Sequence, residues 1–177
     1  MATVDAAIRA RELRRSFGAV TALDRLDLDV PRGAFFALIG PNGSGKSTTV
    51  RLLSGLLPRD GGHLSVLGRD PESERTAVAQ RIGIVPDFPV LYDVLTVREN
   101  VVRIAGLRGL SRREAEVRLE ELAHALGMGA ELDGPVYALS TGTRKKGALA
   151  AAMIHAPALL FLDEPFEGID PVTAHSI

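Results

Sequence analysis

The pattern of hydrophobic and polar residues differs between two neighbouring segments near the start of the chain. Leu26 to Val30, LDLDV, alternates apolar and acidic residues, which predicts an antiparallel strand with one buried face. Ala34 to Gly40, AFFALIG, is continuously apolar, which predicts a strand buried on both faces, as in a parallel sheet. A glycine-rich loop follows, and then Ser47 to Leu57, STTVRLLSGLL, has its apolar residues at helical spacing. This order of strand, glycine loop and helix is the one that a phosphate-binding loop requires.

The middle of the chain has the pattern of helices. Thr96 to Glu99, TVRE, and Ser111 to Glu114, SRRE, both fit the capping box that begins a helix. The second box precedes a helix whose predicted apolar face consists of Val117, Leu119, Leu122 and Leu126. After a loop over residues 127–135, we expect a helix from about Ser140, a strand ending at Asp163, and a last helix near Pro171. Apolar strands that alternate with helices indicate an α/β fold.

Composition narrows the class of protein. With 46% hydrophobic and 24% charged residues, the chain is typical of a globular domain. A net charge of −1 gives no indication of a nucleic acid partner or of an anionic membrane surface. The absence of cysteine excludes a disulfide framework and a thiolate metal site. No segment has the length of a membrane span or the apolar core of a signal peptide, so we expect a soluble protein.

The glycine-rich loop carries the strongest chemical signal. Gly40 to Thr48, GPNGSGKST, matches the pattern G-x-x-x-x-G-K-[ST] in full. Its glycines allow the backbone to turn N–H groups inward, where they can bind phosphate together with the start of the next helix. Lys46 supplies a cation for the outer phosphates, and Ser47 supplies a hydroxyl for Mg²⁺. The predicted phosphate site comprises Gly40, Pro41, Asn42, Gly43, Ser44, Gly45, Lys46, Ser47 and Thr48.

Two adjacent carboxylates follow the apolar run Leu159 to Leu162. At the end of such a strand Asp163 can hold Mg²⁺, through a water molecule. Glu164, one residue farther, can polarise an attacking water and is the predicted catalytic residue.

Four further stretches, together with the phosphate loop and the Asp-Glu strand, resemble the ordered motifs of the ATP-binding cassette (ABC) ATPases. LSTGT, Leu139 to Thr143, is similar to the family signature, and GIDP, Gly168 to Pro171, is similar to the D-loop. The segment from Ile82, IGIVPDFPVLYDVLTVREN, resembles the Q-loop and its exit into the helical subdomain. The segment from Leu13 resembles the start of the fold, with Phe17 at the position of the aromatic residue that stacks on adenine.

The resemblance implies a P-loop NTPase with a RecA-like core of the ABC type, an N-terminal antiparallel β portion and an inserted helical subdomain. Residues 1–92 and 156–177 would form the core, and residues 93–155 the helical signature subdomain. Two such domains, identical or different, would meet head to tail around ATP and Mg²⁺. Ser140 and Gly142 would then serve the ATP bound by the opposite domain. The other partners implied are membrane-spanning permease subunits, which would hold the protein at the inner face of the cell membrane; nucleic acid is not implied.

Two departures from the family pattern affect the site. Asp87 stands where the family usually has the Q-loop glutamine, and it is predicted to bind the metal together with Ser47 and Asp163. In the signature, Thr141 replaces a frequent glycine and Thr143 a frequent glutamine.

The end of the chain affects the expected activity. The family places a switch histidine on the strand after the D-loop, whereas His175 lies in the helix expected near Pro171. We therefore expect that residues 1–177 form the front part of a cassette and are inactive alone.

The leading interpretation is the ATP-hydrolysing subunit of an ABC transporter, which powers transport by ATP-driven dimerisation. The alternatives are a soluble ABC ATPase without a permease and a nucleotide-binding fragment without hydrolytic activity. A GTPase is disfavoured because the chain has no N-K-x-D guanine-recognition motif.

Overall fold

The computed structural model describes residues 5–87 and 90–164 of the protein. The predicted D-loop, the helix near Pro171 and His175 lie outside these residues. The chain forms two compact units, Met1–Ile82 and Gly83–Ile177. The assignment of residues 93–155 to a separate helical subdomain remains a prediction.

The first unit is built on an antiparallel sheet. Strand β1, Ala6–Phe17, lies between β2, Val20–Pro31, and β3, Gly61–Val66. A tight turn with Gly18 at a φ of +58° joins β1 to β2, where a left-handed backbone suits glycine. Leu23 and Val30 are buried, whereas Asp27 and Asp29 are exposed. The half-buried antiparallel strand predicted from LDLDV is therefore confirmed.

From residue 5 onwards, the first unit contains two α-helices, α1, Lys46–Leu53, and α2, Arg75–Ala79. The apolar pattern after the glycine loop predicted a longer first helix, continuing to Leu57. Instead Gly55, at a φ of +73°, ends the helix, and the Leu56 N–H bonds back to the carbonyl of Arg51. A glycine in the left-handed conformation is a common helix terminator, because it places N–H groups on the last free carbonyls.

The strand predicted over Ala34 to Gly40 is wrong for the structure described here, since this segment has no regular secondary structure. Phe35 and Ile39 are each 94% exposed. A strand buried on both faces requires a ladder partner, and the described strands pair with one another instead. The apolar pattern of Ala34 to Gly40 indicates burial, but none of the described strands pairs with this segment.

A two-stranded sheet pairs β4, Ile82–Val85, with β5, Leu159–Leu162, and all of its residues except Ile82 belong to the second unit. The Asp163 N–H donates to the Val85 carbonyl at 2.8 Å. Because this bond joins the residues at the two carboxyl ends, the strands run in the same direction. The strand predicted to end at Asp163 is confirmed, with its last residue at Leu162, although within it only Phe161 is buried and the other three residues are partly exposed.

Within the described part of the second unit, the chain forms three longer helices: α3, Val97–Leu107, α4, Arg112–Ala125, and α5, Thr141–Met153. Both predicted capping boxes are present, at Thr96 and at Ser111. Hydrogen bonds from Ser111 to the Glu114 carboxylate lower the pKa of Glu114. Two short 3-10 helices, Ala130–Asp133 and Val136–Ala138, occupy the connection between α4 and α5.

The buried face of α4 differs in part from the predicted one. Leu119 and Leu126 are buried as expected, but Val117 is 55% exposed. Ala115 and Ala123 occupy buried positions instead, because they lie four residues on either side of Leu119. In the described residues, none of the helices has the length and hydropathy needed to cross a membrane.

Candidate functional site

The phosphate loop connects the exposed segment before Gly40 to the first turn of α1. Gly43 and Gly45 both have positive φ values, of +82° and +91°. A Cβ atom on Gly45 would lie 2.7 Å from the Ala22 carbonyl oxygen, so only glycine fits where the loop passes β2. These are the backbone conformations that the sequence motif predicted.

Lys46 lies within the loop rather than extending into solvent. Its Nζ donates to the Gly40 carbonyl at 2.9 Å and to the Pro41 carbonyl at 3.0 Å. Thr49, one turn into α1, donates its hydroxyl to the Gly45 carbonyl at 2.9 Å. The Lys46 ammonium group therefore lies against the loop backbone, and helix α1 begins where the loop ends. A cation and a helix N-terminus both stabilise a bound anion. The nine residues predicted for the site span this loop and the first three residues of α1, and their role in binding phosphate stays a prediction: Gly40, Pro41, Asn42, Gly43, Ser44, Gly45, Lys46, Ser47 and Thr48.

Phe17 lies at the same end of the β1–β2 hairpin as the loop. Phe17 pairs with Val20 of β2. Ala22, two residues after Val20 on the same strand, is the residue that Gly45 of the loop approaches. The Phe17 side chain is accessible, with the residue 47% exposed. An exposed aromatic ring beside a phosphate loop is suitably placed for stacking on a nucleotide base.

Arg15 is a residue of this region that the sequence interpretation missed. Its guanidinium carbon lies 4.8 Å from the centre of the Phe17 ring, a cation–π contact. Asp60 holds the guanidinium at 2.8 Å and also accepts the Ser16 N–H at 2.7 Å. The sequence contains one signal for this contact. Arg15 and Phe17 are two residues apart on one strand, and residues at this spacing share a face of the strand.

The acidic residues of the second unit lie at the carboxyl edge of the β4–β5 sheet. Asp163 is only 7% exposed, whereas Glu164 is exposed. Asp87 lies two residues after Val85, which pairs with Asp163, and it is also exposed. The structure thus brings Asp87 and the Asp-Glu pair to one edge of one sheet, as expected for parallel strands, whose carboxyl ends meet at the same edge.

Glu164 has an unusual backbone for a residue other than glycine, with a φ of +51°. Its carbonyl oxygen accepts a hydrogen bond from Lys145 Nζ at 2.9 Å. The sequence interpretation did not identify Lys145, since nothing in the motifs connects it with the Asp-Glu strand. The contact joins helix α5 to the residue predicted to be catalytic.

The signature segment forms the start of α5. Ser140 is the N-cap, and its hydroxyl accepts the Thr143 N–H at 3.1 Å. The Ser140 and Thr143 hydroxyl oxygens are 2.9 Å apart, so Thr143 adds a second hydroxyl at the cap. Ser140 is exposed and Gly142 is buried. Of the two residues predicted to contact the ATP of an opposite domain, Ser140 and Gly142, Ser140 is therefore the accessible one.

The predicted metal ligands lie in both units, Ser47 in the first, and Asp87 and Asp163 in the second. Across residues 5–87 and 90–164, no three His, Cys, Asp or Glu residues are grouped as a metal site would need. Mg²⁺ in nucleotide sites typically takes one or two carboxylates and completes its shell with phosphate and water. The oxygen donors at these positions fit that chemistry, and their role remains a prediction.

Comparison with known proteins identifies the family. Residues 23–167 match the family described as ABC transporter. The chain belongs to this family, as an ATP-binding domain. The match covers the phosphate loop, the signature and the Asp-Glu pair.

Two relatives illustrate the similarity. The daunorubicin/doxorubicin resistance ATP-binding protein of Streptomyces peucetius is 39% identical over 97% of this chain and 52% of its own length. The Nod factor export ATP-binding protein I of Sinorhizobium fredii is 39% identical over 98% of this chain and 50% of its own length. The chain therefore spans about half the length of these relatives.

Solved structures agree with the family. An ATP-binding subunit of an ABC transporter superposes with a TM-score of 0.85 at 32% identity, over 96% of this chain and 71% of that one. CbiO1 of Clostridium perfringens, part of the ABC transporter complex cbiONQ, gives a TM-score of 0.85 at 28% identity, over 97% of this chain and 70% of that one. The α/β fold of the P-loop NTPase type, with its antiparallel β portion, is therefore confirmed.

Proposed function

We propose that this chain is the ATP-binding part of an ABC transporter subunit that hydrolyses ATP to power transport through permease partners. The observation that carries the proposal is the phosphate loop, in which Lys46 is held at the centre and Gly43 and Gly45 adopt the required positive φ values. Such a loop provides inward N–H groups, a helix start and a cation for a triphosphate.

The roles of the polar residues follow from their chemistry. Ser47 and Asp163 would hold Mg²⁺, and Asp87 is a further candidate ligand. The metal would neutralise charge on the phosphates during hydrolysis. Glu164 would polarise the attacking water, since its carboxylate lies exposed one residue beyond the buried Asp163.

The base of the nucleotide would stack on Phe17. Arg15 supports this assignment, because it contacts the ring and is itself held by Asp60. A ring restrained before binding loses less conformational freedom when the base arrives. Phe17→Ala should therefore weaken ATP binding while leaving the binding of inorganic tripolyphosphate, which has no base, near that of the parent.

The proposed partners are a second ABC ATPase domain and membrane-spanning permease subunits. Ser140 supports the first, because it is an exposed hydroxyl at a helix start, where it could contact a phosphate from an opposite domain. Relatives named for drug resistance and for Nod factor export favour an exporter. The protein would thus reside at the inner face of the cell membrane through its permease.

The test is phosphate release from ATP and Mg²⁺ by the full-length protein, with equilibrium ATP binding measured in parallel. Turnover that depends on both ATP and Mg²⁺ would support the proposal. Binding without turnover would favour a non-hydrolytic nucleotide-binding module. Co-purification with a multi-span membrane protein separates a transporter subunit from an ABC ATPase that works without a permease.

A further inference from the structure

We infer that Lys145 is a positioning residue that holds the main chain of Glu164 in the conformation needed for hydrolysis. The inference rests on the proposed function, because it concerns the residue assigned there as catalytic. It starts from one contact, in which Lys145 Nζ donates to the Glu164 carbonyl oxygen at 2.9 Å. The two residues are 19 positions apart and belong to different elements, so the contact is a product of the tertiary fold.

The backbone of Glu164 gives this contact its importance. A φ of +51° places Glu164 in the left-handed region, which is unfavourable for residues other than glycine and a few small polar ones. Such a conformation persists only when the surrounding structure enforces it, and it is concentrated at functional sites. A charge-assisted hydrogen bond to the carbonyl is a means of enforcing it.

The Asp163–Glu164 segment is held on both sides. The Asp163 N–H is bonded to the Val85 carbonyl of β4, and the Glu164 carbonyl is bonded to Lys145 of α5. The direction in which the Glu164 side chain leaves the backbone is therefore set by two different elements. Because catalysis depends on placing the carboxylate against a water molecule, a change in this direction should lower turnover more than nucleotide affinity.

The position of Lys145 on α5 links it to the signature segment. Ser140 caps the same helix, and Lys145 follows five residues later, so one rigid element carries both.

Lys146, the next residue, provides a matched comparison. It is also a partly buried lysine of α5, but its Nζ lies near Gly127, 3.8 Å from the site of a Cβ on that glycine.

The experiment compares Lys145→Met, Lys145→Arg and Lys146→Met with the parent in the full-length protein. The first readout is the ¹³C chemical shift of the Glu164 carbonyl and Cα, which report its hydrogen bond and its backbone conformation without any need for activity. The second is the separation of kcat from ATP affinity. Lys145→Met should move both Glu164 shifts and lower kcat at least about tenfold, with ATP affinity within about twofold of the parent.

Lys145→Arg should restore much of both readouts, because a guanidinium can donate to the same carbonyl. Lys146→Met should resemble the parent. Unchanged Glu164 shifts in Lys145→Met, or a kcat equal to that of the parent, would overturn the inference. A parent that releases no phosphate would instead overturn the proposed function, while the Glu164 shifts would still decide whether Lys145 holds the main chain.

Discussion

The Lys46 ammonium group donates to the carbonyl oxygen of Gly40, six residues earlier, at 2.9 Å, and so closes the phosphate loop from within. A second bond, to Pro41, holds the same group at 3.0 Å. The cation is therefore already in the loop before any phosphate arrives. Bound phosphate oxygens would replace neutral carbonyl partners with charged ones, which bind an ammonium group more strongly.

Lys46→Ala should lose most of the affinity for ATP. Removal of a charge-assisted contact costs about 1.5–3 kcal/mol, which corresponds to roughly 10- to 100-fold in the dissociation constant. Calorimetric titration with Mg–ATP measures this change, and a melting curve checks that the variant folds. Lys146→Ala, on α5, serves as the control for loss of a lysine. An ATP affinity equal to that of the parent would remove the loop from the nucleotide site.

Gly45→Ala should destabilise the protein more than Gly43→Ala. Both substitutions place a side chain at a positive φ, at a cost of about 1–2 kcal/mol each. Only at Gly45 would the new Cβ meet a backbone atom, the Ala22 carbonyl at 2.7 Å, whereas the space around Gly43 is open. Equal melting temperatures for the two variants would show that the loop does not approach β2 as described.

Parts of the fold could be predicted where a short stretch of sequence is enough to determine the local structure. The capping boxes at Thr96 and Ser111 were identified because their polar pattern alone satisfies the free N–H groups of a helix start. The segment from Ala34 could not be predicted in the same way. Its apolar residues indicate burial, but a strand also needs a ladder partner, and local pattern cannot supply one.

Asp87→Gln should leave Mg–ATP binding near that of the parent or make it tighter. The substitution introduces the residue that the resemblance to the family implies for this position, and it removes one negative charge from a site proposed to bind a triphosphate. Titration with ATP at fixed Mg²⁺ measures the effect. A collapse of affinity would identify Asp87 as a required metal ligand, for which an amide cannot substitute.

Acid sensitivity should depend on Asp70. Arg59 donates to both of its carboxylate oxygens, at 3.0 and 2.7 Å, and this hydrogen bonding holds the pKa of Asp70 below its usual value. A depressed pKa stabilises the fold above the unfolded-state pKa of about 3.9, and the contribution is lost as the pH falls through the folded-state value. Asp70→Asn should lose about 1 kcal/mol at pH 7.

The difference between Asp70→Asn and the parent should shrink as the pH falls below about 3.9. Urea unfolding at a series of pH values measures it. A difference that stays constant down to pH values near 2 would show that the Arg59 contact does not stabilise the carboxylate in solution.

The candidate site could be predicted from the sequence only where a motif is continuous. The nine residues predicted to bind phosphate are consecutive, so one local pattern predicts them together, and the structure shows the positive φ values that this pattern requires at Gly43 and Gly45. Lys145 and Glu164 are 19 residues apart, and their contact depends on the tertiary fold that brings α5 to the residue after β5. Arg15 could be predicted only in part. Its spacing to Phe17 is evident in the sequence, but Asp60, which accepts its hydrogen bond, comes from a distant part of the chain.

Glu164→Gln tests the central claim most directly. Phosphate release and equilibrium ATP binding are measured for this variant and for the parent, both as full-length protein with Mg²⁺. The amide keeps the shape of the side chain but cannot accept a proton from the attacking water. The predicted result is ATP binding like that of the parent, with turnover reduced by at least about 100-fold. Hydrolysis at the rate of the parent would contradict the assignment of Glu164 as the catalytic residue.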